Sequence, residues 1–266
     1  MKNNYIKKIL IMILSFAFVT QSLAEEFKFD ISEIEILDNG NIYNGLYGGT
    51  IVTKDELKIT SDNFTYNKTK NKIDAFGNVK IIDSKNGIII NTKKIIYLKN
   101  EEKIFTLGKT KINVEDKYFI DGDNLIFFRD KMLLSSSNET TIKDTLDNVY
   151  ILNDFEYLLD EEILKGKEIK VTTNFLKSNS DEYYFDTGFF DLKNKNFLAK
   201  DVKVKFFKKM FNNSRNDPRL TGVYGSGDKL NTYLNKGNFT TCEKSDKCPP
   251  WILQAKKVRH DKVKKQ

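Results

Sequence analysis

Few residues in this chain have the types and spacing that chemistry needs. Gly108-Lys109-Thr110 has the closing residues of a phosphate-cradling loop, but Lys103 stands where that loop needs its first glycine, and the segment reads as a strand. Asp121-Gly122-Asp123-Asn124 and Asp160-Glu161-Glu162 gather carboxylates that could hold a divalent cation or divide acid and base roles. Both fall at a turn or strand edge, where solvated charge is the ordinary state. The single histidine, His260, sits in a slot that is aromatic elsewhere in the chain, which predicts half-buried packing rather than ligation. Cys242 and Cys248 have C-x5-C spacing without the further Cys or His of a zinc site. No serine or cysteine has a base beside it. The chain is expected to be no enzyme, to use no cofactor or metal and to bind no nucleic acid.

What does recur is apolar. A unit opens on an apolar residue, places polar residues three and four later, and large apolar residues at plus five and plus seven. Its copies start at Phe29, Ile59, Ile90, Ile120 and Tyr150, with spacings of 30, 31, 30 and 30 residues. The second half of the unit turns on glycine, as in Gly77-Asn78-Val79-Lys80-Ile81, Gly108-Lys109-Thr110-Lys111-Ile112 and Gly166 to Val171; only the fourth copy lacks it, with Ser136-Ser137-Asn138 instead. A fixed period signals one supersecondary unit stacked on itself. Side chains alternate between strand faces, so the plus-five and plus-seven residues share a face, as do Val79 with Ile81 and Ile112 with Val114. Residues 28–172 contain no proline, which suits strands whose amides all donate. Asp38-Asn39-Gly40, residues 67–71 and Asn86-Gly87 read as hairpin turns.

The chain has 266 residues, enough for a sizeable core. Residues 1–24 read as a secretory signal peptide: Lys2, Lys7 and Lys8 precede an apolar run over 9–19, and Ser22-Leu23-Ala24 supplies small residues for cleavage. Without that segment 41 basic residues face 37 acidic ones, a mild net charge of +4. The excess is local, at 200–209 and 256–265, where lysines ordinarily keep sheets soluble and could also meet an anionic partner. In an exported chain a disulfide involving Cys242 and Cys248 is plausible, its connectivity open. The register blurs over residues 174–196, and residues 212–227 read as loop. The repeat returns at Phe197 with Val202 and Val204, and at Leu253 with Val258 and His260.

An apolar stripe ordinarily becomes a sealed sandwich core, each large side chain contributing roughly 1.5–3 kcal/mol. The functional alternative is an unsealed groove for hydrocarbon, since each methylene pulled into water costs about 0.8 kcal/mol. Ile59-x-x-Asp62-Asn63-Phe64-x-Tyr66 followed by Gly77-Asn78-Val79-x-Ile81 resembles the repeating unit of the OstA-like domain of the lipopolysaccharide transport machinery. Asn216-Asp217-Pro218-Arg219-Leu220, Phe239-Thr240-Thr241-Cys242, Cys248-Pro249-Pro250-Trp251 and Ala255-x-x-Val258-x-His260-Asp261 resemble the junction before the barrel in the LptD family of outer-membrane assembly proteins.

The resemblance implies an all-β fold, an open β-jellyroll of stacked antiparallel hairpin repeats, over residues 25–211. Residues 212–266 would be a loop-rich junction with the Cys pair and a final strand, preceding a barrel for which the chain has no room. It also implies a periplasmic location at the inner face of the outer membrane. Lipopolysaccharide would be the cargo, a periplasmic bridge protein would dock by strand addition near residues 29–36, and a plug lipoprotein would be a partner if a barrel is present. The groove would then be open, lined by Phe64, Tyr66, Val79, Ile81, Ile95, Tyr97, Ile112, Val114, Leu125, Phe127, Phe155, Tyr157, Ile169 and Val171. Rival readings are a stand-alone bridge or chaperone of the same fold, a surface adhesin, and a parallel β-helix enzyme degrading polysaccharide.

Overall fold

The computed structural model describes residues 27–177, 179–208, 216–243, 251–261 and 263–264; the expected signal peptide and Cys248 lie outside them. The first strands are β1 (Phe27–Leu37), β2 (Ile42–Thr53), β3 (Leu57–Ser61), β4 (Asn63–Asn67), β5 (Lys72–Asp83), β6 (Ile88–Leu98), β7 (Lys103–Val114), β8 (Tyr118–Asp123) and β9 (Ile126–Phe128). They are followed by β10 (Leu133–Ser136), β11 (Thr140–Asp144), β12 (Val149–Leu158), β13 (Ile163–Thr172), β14 (Glu182–Asp191), β15 (Asn196–Lys205), β16 (Arg219–Gly227), β17 (Asn231–Thr240) and β18 (Leu253–Asp261). Three single 3-10 turns, Asp38–Gly40, Lys99–Glu101 and Arg129–Lys131, sit in hairpin loops.

The chain is all-β and every pairing is antiparallel. Both β3 and β4 lie between β2 and β5, so they are halves of one lane. In the same way β8 and β9 share β7, while β10 and β11 share β12. Three such pairs reduce the eighteen strands to fifteen lanes, each hydrogen-bonded to the next in sequence. Among the described residues β1 pairs only with β2 and β18 only with β17, which leaves two free edges.

The period of thirty is one hairpin bent at its middle. Register shifts fall between Ile31 and Glu33, Phe76 and Val79, Thr92 and Lys94, and Asn153 and Glu156. Left-handed backbone marks the same level at Gly77 (φ 78), Gly108 (φ 84), Asn124 (φ 55), Asp154 (φ 43) and Asp201 (φ 52). A bulge bends its strand, and bends aligned across lanes fold the sheet onto itself. The polar plus-three and plus-four residues of the repeat, such as Asp62-Asn63 and Asp123-Asn124, are therefore corner residues. At Gly77 the corner also needs absence of a side chain, because a Cβ would run into Asp62. Where the fourth copy lacks glycine, side chains build the corner: Ser136 Oγ and Asn138 Nδ2 donate to the Asp123 carbonyl at 3.2 and 3.0 Å.

The two halves of each lane form two facing layers. Rings from the first layer meet rings from the second at Phe27–Tyr66 (5.0 Å), Tyr118–Tyr157 (5.6 Å) and Phe185–Phe190 (5.6 Å). One core cluster runs between the layers from Phe27 to Leu234.

Two stretches differ from expectation. Residues 182–191 form one strand in full register with β13, where the sequence suggested blurred short strands. Residues 219–227 are strand β16, where a loop was expected. The glycines that read as loop there are space-makers: a Cβ on Gly222 would strike the Leu234 side chain, one on Gly225 would meet Val202 at 2.8 Å, and one on Gly227 would strike Phe197.

Candidate apolar trough and its mouth

Cross-strand register turns the alternation into rows. In the first layer one row takes a residue from every lane: Phe29, Ile51, Ile59, Ile81, Ile90, Ile112, Ile120, Ile142, Tyr150, Val171, Tyr183, Val204, Leu220, Phe239 and Leu253. All are apolar or aromatic. The facing row in the second layer runs Ile36, Tyr43, Tyr66, Ile73, Tyr97, Ile104, Phe127, Leu134, Tyr157, Leu164, Phe190 and Phe197 before ending on Gly227, Thr232 and His260.

All fourteen expected lining residues point between the layers and are buried, from Ile95 and Tyr97 at 0% exposure to Tyr66 and Val171 at 8%. Val79, Ile81, Ile112, Val114, Ile169 and Val171 belong to the first layer and the rest to the second, so the expected single stripe is folded against itself. The opening residues Ile59, Ile90 and Ile120 are equally inside and were not singled out, although the repeat itself displayed them. Over these central lanes the layers are packed together. Exposure returns at both ends: Ile34 is 41% and Ile36 59% exposed on β1, and Leu253 is 63% exposed on β18.

Opposite the corners, the hairpin turns of the two layers meet along a mouth. Arg129, in a second-layer turn and almost wholly buried, donates from Nε to Asp83 Oδ2 at 2.7 Å, at the first-layer end of β5. Its Nη1 reaches Glu102 Oε2 at 2.8 Å and Asp55 Oδ2. Lys99 bridges Asp55 (3.5 Å) and Glu102, and Tyr97 Oη donates to Glu102 Oε2 at 2.9 Å. Burial works to raise the Asp55 carboxyl, but hydrogen bonds from Thr53 and Arg129 and the guanidinium charge hold it well below the usual carboxylate range. Burial, then the Glu102 charge, push the Tyr97 phenol up, so it stays a donor. A second tie lies further along, where Tyr118 Oη donates to Glu162 Oε2 at 3.2 Å across the mouth. Burial and then Glu162 raise Tyr118 to about 12.

No family model matches the chain, and no curated protein does.

The remaining candidates resolve into architecture. Gly108 is a corner and Thr110 a buried hydroxyl, bonded to Thr106 Oγ1 at 2.8 Å and Thr92 Oγ1 at 3.0 Å, so this segment cradles no phosphate. Asp121 and Asp123 lie exposed on β8. Of the acidic turn, Glu162 serves the second tie. His260 does occupy the aromatic slot, but it is exposed rather than half-buried, because the row has thinned to Gly227 and Thr232 and, among the described residues, β18 pairs only with β17. Cys242 is half-buried with no disulfide among the described residues; its Sγ lies 3.8 Å from the Trp251 carbonyl.

Proposed function

We propose that this protein carries lipopolysaccharide, as an OstA-like β-jellyroll of the LptD type that receives acyl chains from a periplasmic bridge and passes them toward the outer membrane. The observation that carries the reading is the first-layer apolar row, which crosses every lane without a polar interruption and ends exposed at Leu253 on β18, with the facing row beginning at the exposed Ile36 on β1. An enclosed core has no need of greasy ends; a conduit handing hydrocarbon to neighbours does. The repeat and the Cys-Pro-Pro-Trp junction supply the choice of cargo. At β1 the free edge, with Ile34 and Ile36 beside it, fits addition of a partner's terminal strand, which would continue both sheet and trough.

Photo-crosslinkers placed at Phe64, Ile95, Leu125 and Phe155, with outward neighbours Thr65 and Ile96 as controls, test this against labelled lipopolysaccharide in the periplasm. Adducts are expected at the four inward positions. Adducts confined to the two controls, or at none of the six, would remove lipid carriage as the function.

A further inference from the structure

A lipid carried in a trough keeps its chains between the layers and its polar head in water. The two are covalently joined, so wherever chains slide along the trough the head must slide along the mouth. Any side-chain bond across the mouth is then a barrier to passage. The Arg129 cluster is such a bond, and its chemistry makes it a strong one: Arg129 and Asp83 side chains are 4% and 1% exposed, and the guanidinium engages three carboxylates from turns of both layers. Substituting one partner would leave a buried charge uncompensated and so would loosen the clasp, whereas opening it returns both charges to water, which keeps it non-covalent and reversible. Beside it lies a cleft of about 300 Å³ lined from both layers, by Val114, Met132, Tyr157 and Leu159 together with Tyr118 and Glu162 of the second tie.

We propose that the Arg129 clasp is a gate within the conduit: it holds the layers shut over the central lanes and must open for each amphiphile that passes from the β1 side to the β12 side. The transport part of this proposal rests on the carrier reading above; the closure part does not.

The test uses the full chain with Cys242→Ser and Cys248→Ser, carrying Lys85→Cys in a first-layer turn and Asp130→Cys in a second-layer turn, both exposed positions. Spin labels on this pair report the width of the mouth, and a Lys54→Cys/Lys85→Cys pair within the first layer reports whether the layer stays folded. Arg129→Gln, and the milder Glu102→Gln, are expected to broaden and lengthen the cross-mouth distances while leaving the same-layer distances unchanged. Unchanged cross-mouth distances in both variants, or equal broadening of both pairs, overturn the gate. The cross-mouth pair is then bridged with a short bismaleimide and lipopolysaccharide is supplied from the bridge protein. Crosslinking at Phe64 is expected to persist while crosslinking at Phe155 falls at least about tenfold, the scale of a step that depends on a gate opening. Undiminished adducts at Phe155 overturn the gate; absence of adducts at both positions before bridging overturns the carrier reading instead.

Discussion

Single residues decide where this sheet folds over. At Gly77 a positive φ coincides with a close approach to Asp62, which is itself fixed by Asn78 Nδ2 at 2.8 Å. At Gly108 the φ is also positive, but no atom lies within 4 Å of where a Cβ would be. The two glycines therefore separate backbone strain from crowding. Gly108→Ala is expected to cost about 1 kcal/mol, the backbone penalty alone, and Gly77→Ala at least about 2 kcal/mol, as measured by urea unfolding. Equal costs at the two positions would mean that Asp62 yields freely and that the corner is looser than its hydrogen bonds indicate. The buried polar residues follow the same economy of contact: Thr92, Thr106 and Thr110 satisfy one another at the corner of β6 and β7, so their hydroxyls are buried with partners.

At the scale of elements, neighbouring lanes are joined on their outer faces by ionic links as well as by backbone ladders. Glu182 on β14 accepts from Lys170 on β13 at 2.7 Å and from Lys205 on β15 at 3.3 Å, with the Tyr184 hydroxyl at 2.6 Å. The Lys170 and Tyr184 hydrogen bonds outweigh burial and lower its carboxyl from 4.5 to about 2. A depressed folded pKa means that this link contributes stability above pH about 4.5 and loses it as pH falls toward about 2. The side chain is 32% exposed, so solvent screening keeps the contribution small. Thermal unfolding of the native protein and of Glu182→Gln is expected to differ at pH 6 and to converge at pH 2. A gap that stays constant across that range would assign the difference to packing. The bent hairpin is the element that the sequence displays most fully. Its polar corner and its apolar plus-five and plus-seven positions were visible at Asp62-Asn63, Phe64 and Tyr66, because corner and faces follow from alternation within a few residues. Strand β16 was hidden: its glycines read as loop until Leu234, Val202 and Phe197, far off in sequence or on other lanes, were seen to need the space.

For the whole molecule the decisive feature is that the sheet has ends. Among the described residues β1 and β18 are each paired on one side, and the apolar row of the first layer continues to both. Removing residues 27–37 transfers the free edge to β2, whose register and flanking side chains differ, and under the proposed carrier function it is expected to abolish association with a periplasmic bridge protein while circular dichroism still reports a sheet. Full association after this deletion would take the proposed docking edge away from β1, with β18 the other native free edge among the described residues. The lysines of β18 fit an edge kept from indiscriminate pairing: Lys256 and Lys257 are exposed along it.

The sequence alone determined that the protein is a stack of antiparallel hairpins and which side chains share a face, because strand alternation is local and a period of about thirty residues repeats it. All fourteen expected lining residues lie on the inner face for that reason. Only the tertiary structure decided that this face closes on itself over the central lanes, since closure depends on groups that no local pattern joins. Arg129 and Asp83 are 46 residues apart, and Arg129 and Asp55 are 74 apart. They become partners only after the aligned bends have brought the turns of both layers to one mouth.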